Sequence, residues 1–188
     1  MPGQGVRIIG GEWRGRRIAV PPGMHVRPTA DRNRETLFNW LAPLIEGAHC
    51  VDLFAGSGSL GIEALSRGAR EVDFVESNLR VALNLQRNID LLEAGERAHI
   101  HRAEAAAWIQ RCTDTAWDVV FIDPPFRRDL LLPVLGQLAG HLADPHRVYI
   151  EHESNAPPAL PQGWQVLRER RAGQVTYKLL QFDQNASL

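Results

Sequence analysis

Val51-Asp52-Leu53-Phe54-Ala55-Gly56-Ser57-Gly58-Ser59-Leu60-Gly61 is the stretch that decides the fold. Val51 to Phe54 is a short apolar run bounded by glycines, the signature of a strand buried on both faces. Gly56 and Gly58 make a turn, and a helix follows from Ser59. Glycine has no Cβ and accepts positive φ, so the backbone of this turn can approach a ligand closely. Gly61 would let the helix pack tightly on the strand. Gly56, Gly58 and Gly61 fit the spacing G-x-G-x-x-G, which several nucleotide-like cofactors share. Alone, it leaves the cofactor open.

Working outward, strands and helices alternate. Val72–Val75, Ala98–His101, Val119–Ile122 and Val148–Glu151 read as further strands. Helices are expected over Ser59–Arg67 (stopped by Gly68), Asn78–Leu92, Glu104–Cys112 and Leu130–Leu142. Val81, Leu85, Ile89 and Leu92 recur at helical spacing. Gln165–Arg170 and Val175–Phe182 flank Ala172-Gly173-Gln174 as a terminal hairpin. Upstream, Val6–Ile9 and Arg16–Val20 flank a glycine-rich loop, and Asp31 is placed to cap a helix over Arg32–Leu41. The tail from Asp183 is expected to fray. The expected fold class is α/β. It is a Rossmann-like, doubly wound sheet of seven mostly parallel strands with an antiparallel C-terminal hairpin, extended at the N-terminus by a β-hairpin and a helix. Two units follow: an extension over residues 1–45 and a cofactor-binding domain over residues 46–188.

Composition narrows the classes. The 188 residues are 44% hydrophobic and 23% charged, ordinary for a globular chain with a full core. No apolar run approaches the ~20 residues of a membrane helix, and no secretory signal opens the chain. Cys50 and Cys112 form no CxxC pair, so a reducing, cytoplasmic setting is expected. The net charge of −1 hides an asymmetry: residues 1–34 hold seven arginines against Glu12 and Asp31, a net +5, and the remainder carries −6. A basic arm on an acidic body is the footprint of phosphate binding. A solvated surface would look the same, and 20 of the 21 basic residues are arginine.

The remaining chemistry sits at strand ends. Glu76 closes the second core strand about twenty residues after the glycine turn, where an acid can accept from ribose hydroxyls. Ala103-Glu104 follows the third strand, where an adenine amino group could be met. Val119-Val120-Phe121-Ile122-Asp123-Pro124-Pro125-Phe126 ends the fourth in a carboxylate, two prolines and an aromatic ring. An exocyclic amine on a base is a poor nucleophile because its lone pair is delocalised into the ring. Asp123 and the Pro124 carbonyl could each accept one of its N–H bonds, and Phe126 could stack on the base. This arrangement suits methyl transfer from S-adenosylmethionine, not hydride transfer. The expected cofactor contacts are Asp52, Phe54, Ala55, Gly56, Ser57, Gly58, Gly61, Glu76, Ser77, Ala103 and Glu104. No metal site is expected, because His99 and His101 have no evident acid or cysteine cluster. Glu151 and Glu153 read as a solvated strand end, and Trp13 could stack on a base or pack the hairpin on the body, the second being the expected role.

Asp123-Pro124-Pro125-Phe126 resembles the (D/N/S)PP(Y/F/W) motif of amino-group methyltransferases. Arg7-Ile8-Ile9-Gly10-Gly11-Glu12-Trp13-Arg14-Gly15-Arg16, Arg27-Pro28-Thr29 and Arg34-Glu35-Thr36-Leu37-Phe38-Asn39-Trp40-Leu41 are similar to the RsmD type, and the likeness spans residues 6–182. Asn33 and Glu104 depart from the usual pattern. The resemblance implies transfer to guanine N2 in 16S rRNA (the guanine 966 type) within the 30S subunit or an assembly intermediate, by a monomer. It makes Arg14, Arg16, Arg17, Arg27, Arg32 and Arg34 candidates for phosphate contacts. The alternatives are an adenine-N6 methyltransferase on DNA or RNA, and a non-catalytic 30S assembly factor.

Overall fold

A computed structural model describes residues 5–21, 30–113, 115–125 and 129–183. Strands β1 (Gly5–Arg7) and β2 (Arg17–Ala19) pair as an antiparallel hairpin, and α1 (Ala30–Leu41) follows. The body then alternates β3 (His49–Asp52), α2 (Ser59–Ser66), β4 (Glu71–Val75), α3 (Leu79–Leu92), β5 (Ala98–His101), α4 (Ala105–Ile109), β6 (Trp117–Ile122), α5 (Leu131–Leu138) and β7 (Leu142–Glu153). Strands β8 (Trp164–Ala172) and β9 (Val175–Phe182) close the chain. The seven strands lie in the order β5-β4-β3-β6-β7-β9-β8, with β3 to β7 parallel and β9 antiparallel to both neighbours. The expected fold class is the observed one.

Side-chain alternation divides the core into two layers. Cys50, Val72, Phe74, Val119, Phe121, Tyr149 and Tyr177 point to the face covered by α1, α2, α3 and the N-terminal hairpin. Val51, Val75, Val120, Ile122, Val148 and Ile150 point to the face covered by α4 and α5. Burial on both faces explains why the strands read as apolar runs. Gly61 lies where α2 crosses β4, and a Cβ there would stand 2.3 Å from the Phe74 ring. The tight helix-on-strand contact expected of this residue is present.

The N-terminal hairpin belongs to the same core. Val6, Ile8, Trp13 and Ile18 are buried with Phe74 and Leu85. Trp13 packs the hairpin on the body, with the Arg97 guanidinium 5.1 Å above its ring. Buried polar groups fix the register. Glu63 on α2 accepts from the Ile9 and Gly10 amides, both at 2.8 Å, and from Arg67 Nε at 2.7 Å. Asn88 on α3 accepts from the Ala19 amide at 2.9 Å and donates to the carbonyls of Ala19 and Ser57.

Two local readings are corrected, and one histidine network is added. Asp31 lies inside α1, which starts at Ala30, and it pairs with Arg34 across one turn. Strand β7 begins at Leu142, ahead of the expected Val148, because the polar run Asp144-Pro145-His146 hides its first half from an apolar pattern. His101 and His49 do have an acid partner: both donate to Asp73, at 2.7 and 2.8 Å, and Trp117 Nε1 reaches it at 3.3 Å. The sequence pattern missed this because the partners come from four different strands. Among the described residues no cluster of three or more such side chains could hold a metal ion. Nor is any helix there long and apolar enough to cross a membrane.

Burial of Asp73 opposes its charge, yet hydrogen bonds from His101 and His49 hold the carboxyl well below the usual carboxylate range. Asp73→Ala leaves three donors without their acceptor, the buried Trp117 indole and the half-buried His49 and His101 rings. It is expected to lower unfolding free energy by about 2 kcal/mol or more near neutral pH. Denaturant melts of variant and parent at one pH check this; equal midpoints would show that the network carries no stability.

Candidate active site

The carboxyl ends of β3, β4 and β6 open into one cleft of about 630 Å³, a size common for small-molecule sites. It lies where the strand order reverses direction around β3, the crevice where doubly wound sheets bind ligands. The glycine turn forms one wall. Gly56 and Gly58 have φ values of 54° and 85°, a region that favours glycine. A Cβ on Gly58 would come within 2.4 Å of Leu85, so this position needs glycine on two grounds. Gly58 and Gly61 lie behind the turn and outside the cleft lining, where they shape the loop that Ala55, Gly56 and Ser57 present.

Glu76 extends from the end of β4 to the tip of the turn. One carboxylate oxygen accepts from the Gly56 amide at 3.1 Å and the other from the Asn78 amide at 2.7 Å. Asn78 in turn caps α3 through its side chain, which accepts from the amides of Arg80 and Val81. Each carboxylate oxygen has two lone pairs, so Glu76 keeps acceptor capacity toward a ligand diol. Ser77, Ala103 and Glu104 continue this wall. Glu104 is exposed and its side chain makes no cap bond to α4.

Asp52 lies deeper and is fully buried. Burial pushes its carboxyl up to about 7, against the lowering effect of hydrogen bonds from the Gly61 and Phe54 amides. The Gly61 bond measures 3.2 Å. Asp52 is therefore the one acid of the glycine segment able to change protonation near neutrality, beneath the loop that would hold a cofactor.

The opposite wall is the end of β6. Asp123 is exposed to the cleft, and Pro124 is buried beside it. Phe126 lies outside the described residues. Tyr149 and Glu151 complete this wall from β7, whose Ile150 pairs with Ile122 of β6. The Tyr149 hydroxyl donates to Glu151, and burial with that carboxylate holds the phenol well above its ordinary value. Glu151 is thus no solvated strand end, as the sequence pattern had implied. Its place next to β6 in a parallel sheet was the available signal. Asn33, Ala172 and Val175 also line the cleft and were missed, since they come from the extension and the terminal hairpin; Arg34, expected as a phosphate contact, lines it too.

The basic arm divides. Arg14 and Arg32 are exposed. Arg16 and Arg17 are exposed but also donate to the carbonyls of Leu91 and Gly5. Arg34 differs: its side chain is 4% exposed and pairs with Asp31 and Glu63. Burial lowers its pKa, with Glu63 and Asp31 opposing. Arg34 is therefore withdrawn from the phosphate candidates; its guanidinium is committed to the interior. Arg27 lies outside the described residues.

The family model described as conserved hypothetical protein 95 matches residues 6–181. The chain is 47% identical to ribosomal RNA small subunit methyltransferase D of Escherichia coli strain K12 over 179 residues, covering 94% of this chain and 89% of that one. It is 41% identical to the protein of the same name from Haemophilus influenzae over 180 residues, 94% of this chain and 93% of the relative. Among solved structures, yhhF from Escherichia coli superposes with a TM-score of 0.86 at 46% identity, covering 95% of this chain and 98% of that one.

Asp52 yields a pH prediction. Its folded-state value, about 7, exceeds the ordinary 3.8, so the folded form holds a proton that the unfolded chain has released. Stability from this group is present below about 4 and is lost as pH rises toward 7. Asp52→Asn is expected to flatten that decline. Denaturant melts from pH 4.5 to 8 measure it; parallel curves for parent and variant would contradict the assignment.

Proposed function

The chain belongs to the ribosomal RNA small subunit methyltransferase D family, and from that premise we propose that it transfers a methyl group from S-adenosylmethionine to the exocyclic N2 of a guanine in 16S rRNA. The observation that carries this reading is one cleft with two chemically different ends. The glycine turn and Glu76 stand on one side, and Asp123 and Pro124 on the other.

The residues present fit the cofactor. Glu76 offers acceptors for a ribose diol, Ala103 and Glu104 flank the place for an adenine, and Asp52, Phe54, Ala55, Ser57 and Ser77 line the remainder. When bound, the cofactor supplies an electrophilic methyl group on a sulfonium. The chain's own residues act on the acceptor. Asp123 accepts one N–H of the amine and the Pro124 carbonyl accepts the other. This favours the pyramidal amine, whose lone pair is available for attack. The proline ring fixes the direction of its backbone. Positioning of this kind can supply several kcal/mol of barrier reduction.

A base stacked in RNA cannot reach Asp123, so the target guanine must leave its stack to enter the cleft. Residues 1–45 form the RNA-binding extension in this reading, with Arg14, Arg16, Arg17 and Arg32 contacting phosphates. Such contacts set affinity and register, not base choice. The substrate form is the 30S subunit or an assembly intermediate, which places the enzyme in the cytoplasm.

Asp123→Ala is expected to lower methyl transfer at saturating substrate by about 100-fold or more, with cofactor affinity nearly unchanged. Single-turnover transfer and calorimetric titration of the cofactor separate the two quantities. Normal transfer in the variant would remove Asp123 from the mechanism.

A further inference from the structure

We propose that the outer edge of the terminal hairpin is a second RNA-backbone contact surface, built from Arg168 and Arg170 on β8 together with Arg32 on α1. This rests on the RNA reading above and extends it to a part of the chain outside the basic arm.

Strand β8 is the last strand of the sheet, so its side chains stand at an open edge. Register assigns their faces. Arg168 pairs with Leu179, Arg170 with Tyr177 and Ala172 with Val175. Directly paired residues share a face of the sheet, and Leu179 and Tyr177 belong to the layer covered by α1. Arg168, Arg170 and Ala172 therefore form one row on the α1 side. Ala172 and Val175 line the cleft. The row thus runs outward from the catalytic cleft, at roughly 7 Å per pair of residues.

The row is continuous with the helix. Arg170 Nη1 donates to Thr36 Oγ1 at 3.0 Å, and Thr36 Oγ1 donates to the Arg32 carbonyl at 3.0 Å. Arg32, Arg168 and Arg170 are all exposed. The acid within the strand, Glu169, lies on the opposite face and pairs with Lys178 at 3.1 Å. Arg171 also lies on that opposite face, paired across from Thr176. The hairpin therefore directs two arginines to the cleft side and leaves one on the far side as an internal control.

An exposed edge strand can carry charges for another reason, to block strand pairing between molecules. The two roles give different results. Guanidinium groups that neutralise phosphates release counterions, so removing them changes the salt dependence of RNA binding. Groups that only guard the edge change self-association instead.

The experiment is binding of the full chain to 30S subunits purified from cells lacking this enzyme, across a series of KCl concentrations. The double variant R168Q/R170Q is expected to bind more weakly, with its log–log salt slope reduced by about 1.4 to 1.8. R171Q is expected to keep the parent slope, and all variants the parent cofactor affinity. The single variants R168Q and R170Q should each reduce the slope by about 0.7 to 0.9, which keeps the test decisive if the double variant fails to fold. An unchanged slope in the double variant and in both singles would overturn the proposal, as would an equal loss in R171Q. Self-association of the double variant at unchanged slope would assign these arginines to edge protection and also overturn it. R14A/R16A run in parallel separates this from the wider reading. If only the arm variant alters the slope, the second surface is wrong and RNA binding stands. If neither does, and the parent methylates no rRNA, the RNA reading itself has failed.

Discussion

A buried carboxylate holds the N-terminal hairpin to the helix that leaves the glycine turn. Glu63 is 1% exposed and receives two backbone amides from the N-terminal loop and the guanidinium of Arg67, with Arg34 Nε 3.7 Å away. A buried charge persists only when its lone pairs are satisfied and a counter-charge is near. The N-terminal segment brings the Ile9 and Gly10 amides as donors and Arg34 as a second cation beside Arg67, which lies at the end of α2 itself. Ser66, one turn further along α2, binds the same loop, accepting from the Trp13 amide and donating to the Gly10 carbonyl. The hairpin is therefore built into the body, and its position is fixed by the helix that starts at the glycine turn.

The consequence reaches the cleft. Helix α2 leaves the turn at Ser59, and helix α3 leaves the Glu76 end of β4. Both helices grip the hairpin, α2 through Glu63 and Ser66 and α3 through Asn88. Asn88 also donates to the Ser57 carbonyl inside the glycine loop. In the proposed reading, the surface that meets RNA and the loop that meets the cofactor thus share the same buried polar groups.

Much of this was legible in the sequence because it depends on local pattern. Strand–helix alternation with apolar runs predicts a doubly wound sheet, and Gly56, Gly58, Glu76 and Asp123 stand at strand ends where such a sheet places its cleft. What was not legible depends on pairing between distant segments. Arg34 and Arg32 look alike in a basic arm, yet Arg34 turns inward to Glu63, 29 positions away in the chain. Glu151 looks like a strand-end acid until β7 is placed beside β6. Asp73 gathers donors from three other strands, and no window along the chain contains them all. The RsmD-type resemblance, confirmed by family membership, supplied the substrate expectation that neither periodicity nor charge could reach.

In the proposed reading, one cleft joins a methyl donor to a guanine amine of 16S rRNA. Its most direct test is transfer of labelled methyl from S-adenosylmethionine to 30S subunits lacking the modification, followed by nucleoside analysis of the digested RNA. Label is expected in N2-methylguanosine alone. Label in N6-methyladenosine, or none in rRNA despite tight binding of the subunit, would contradict it.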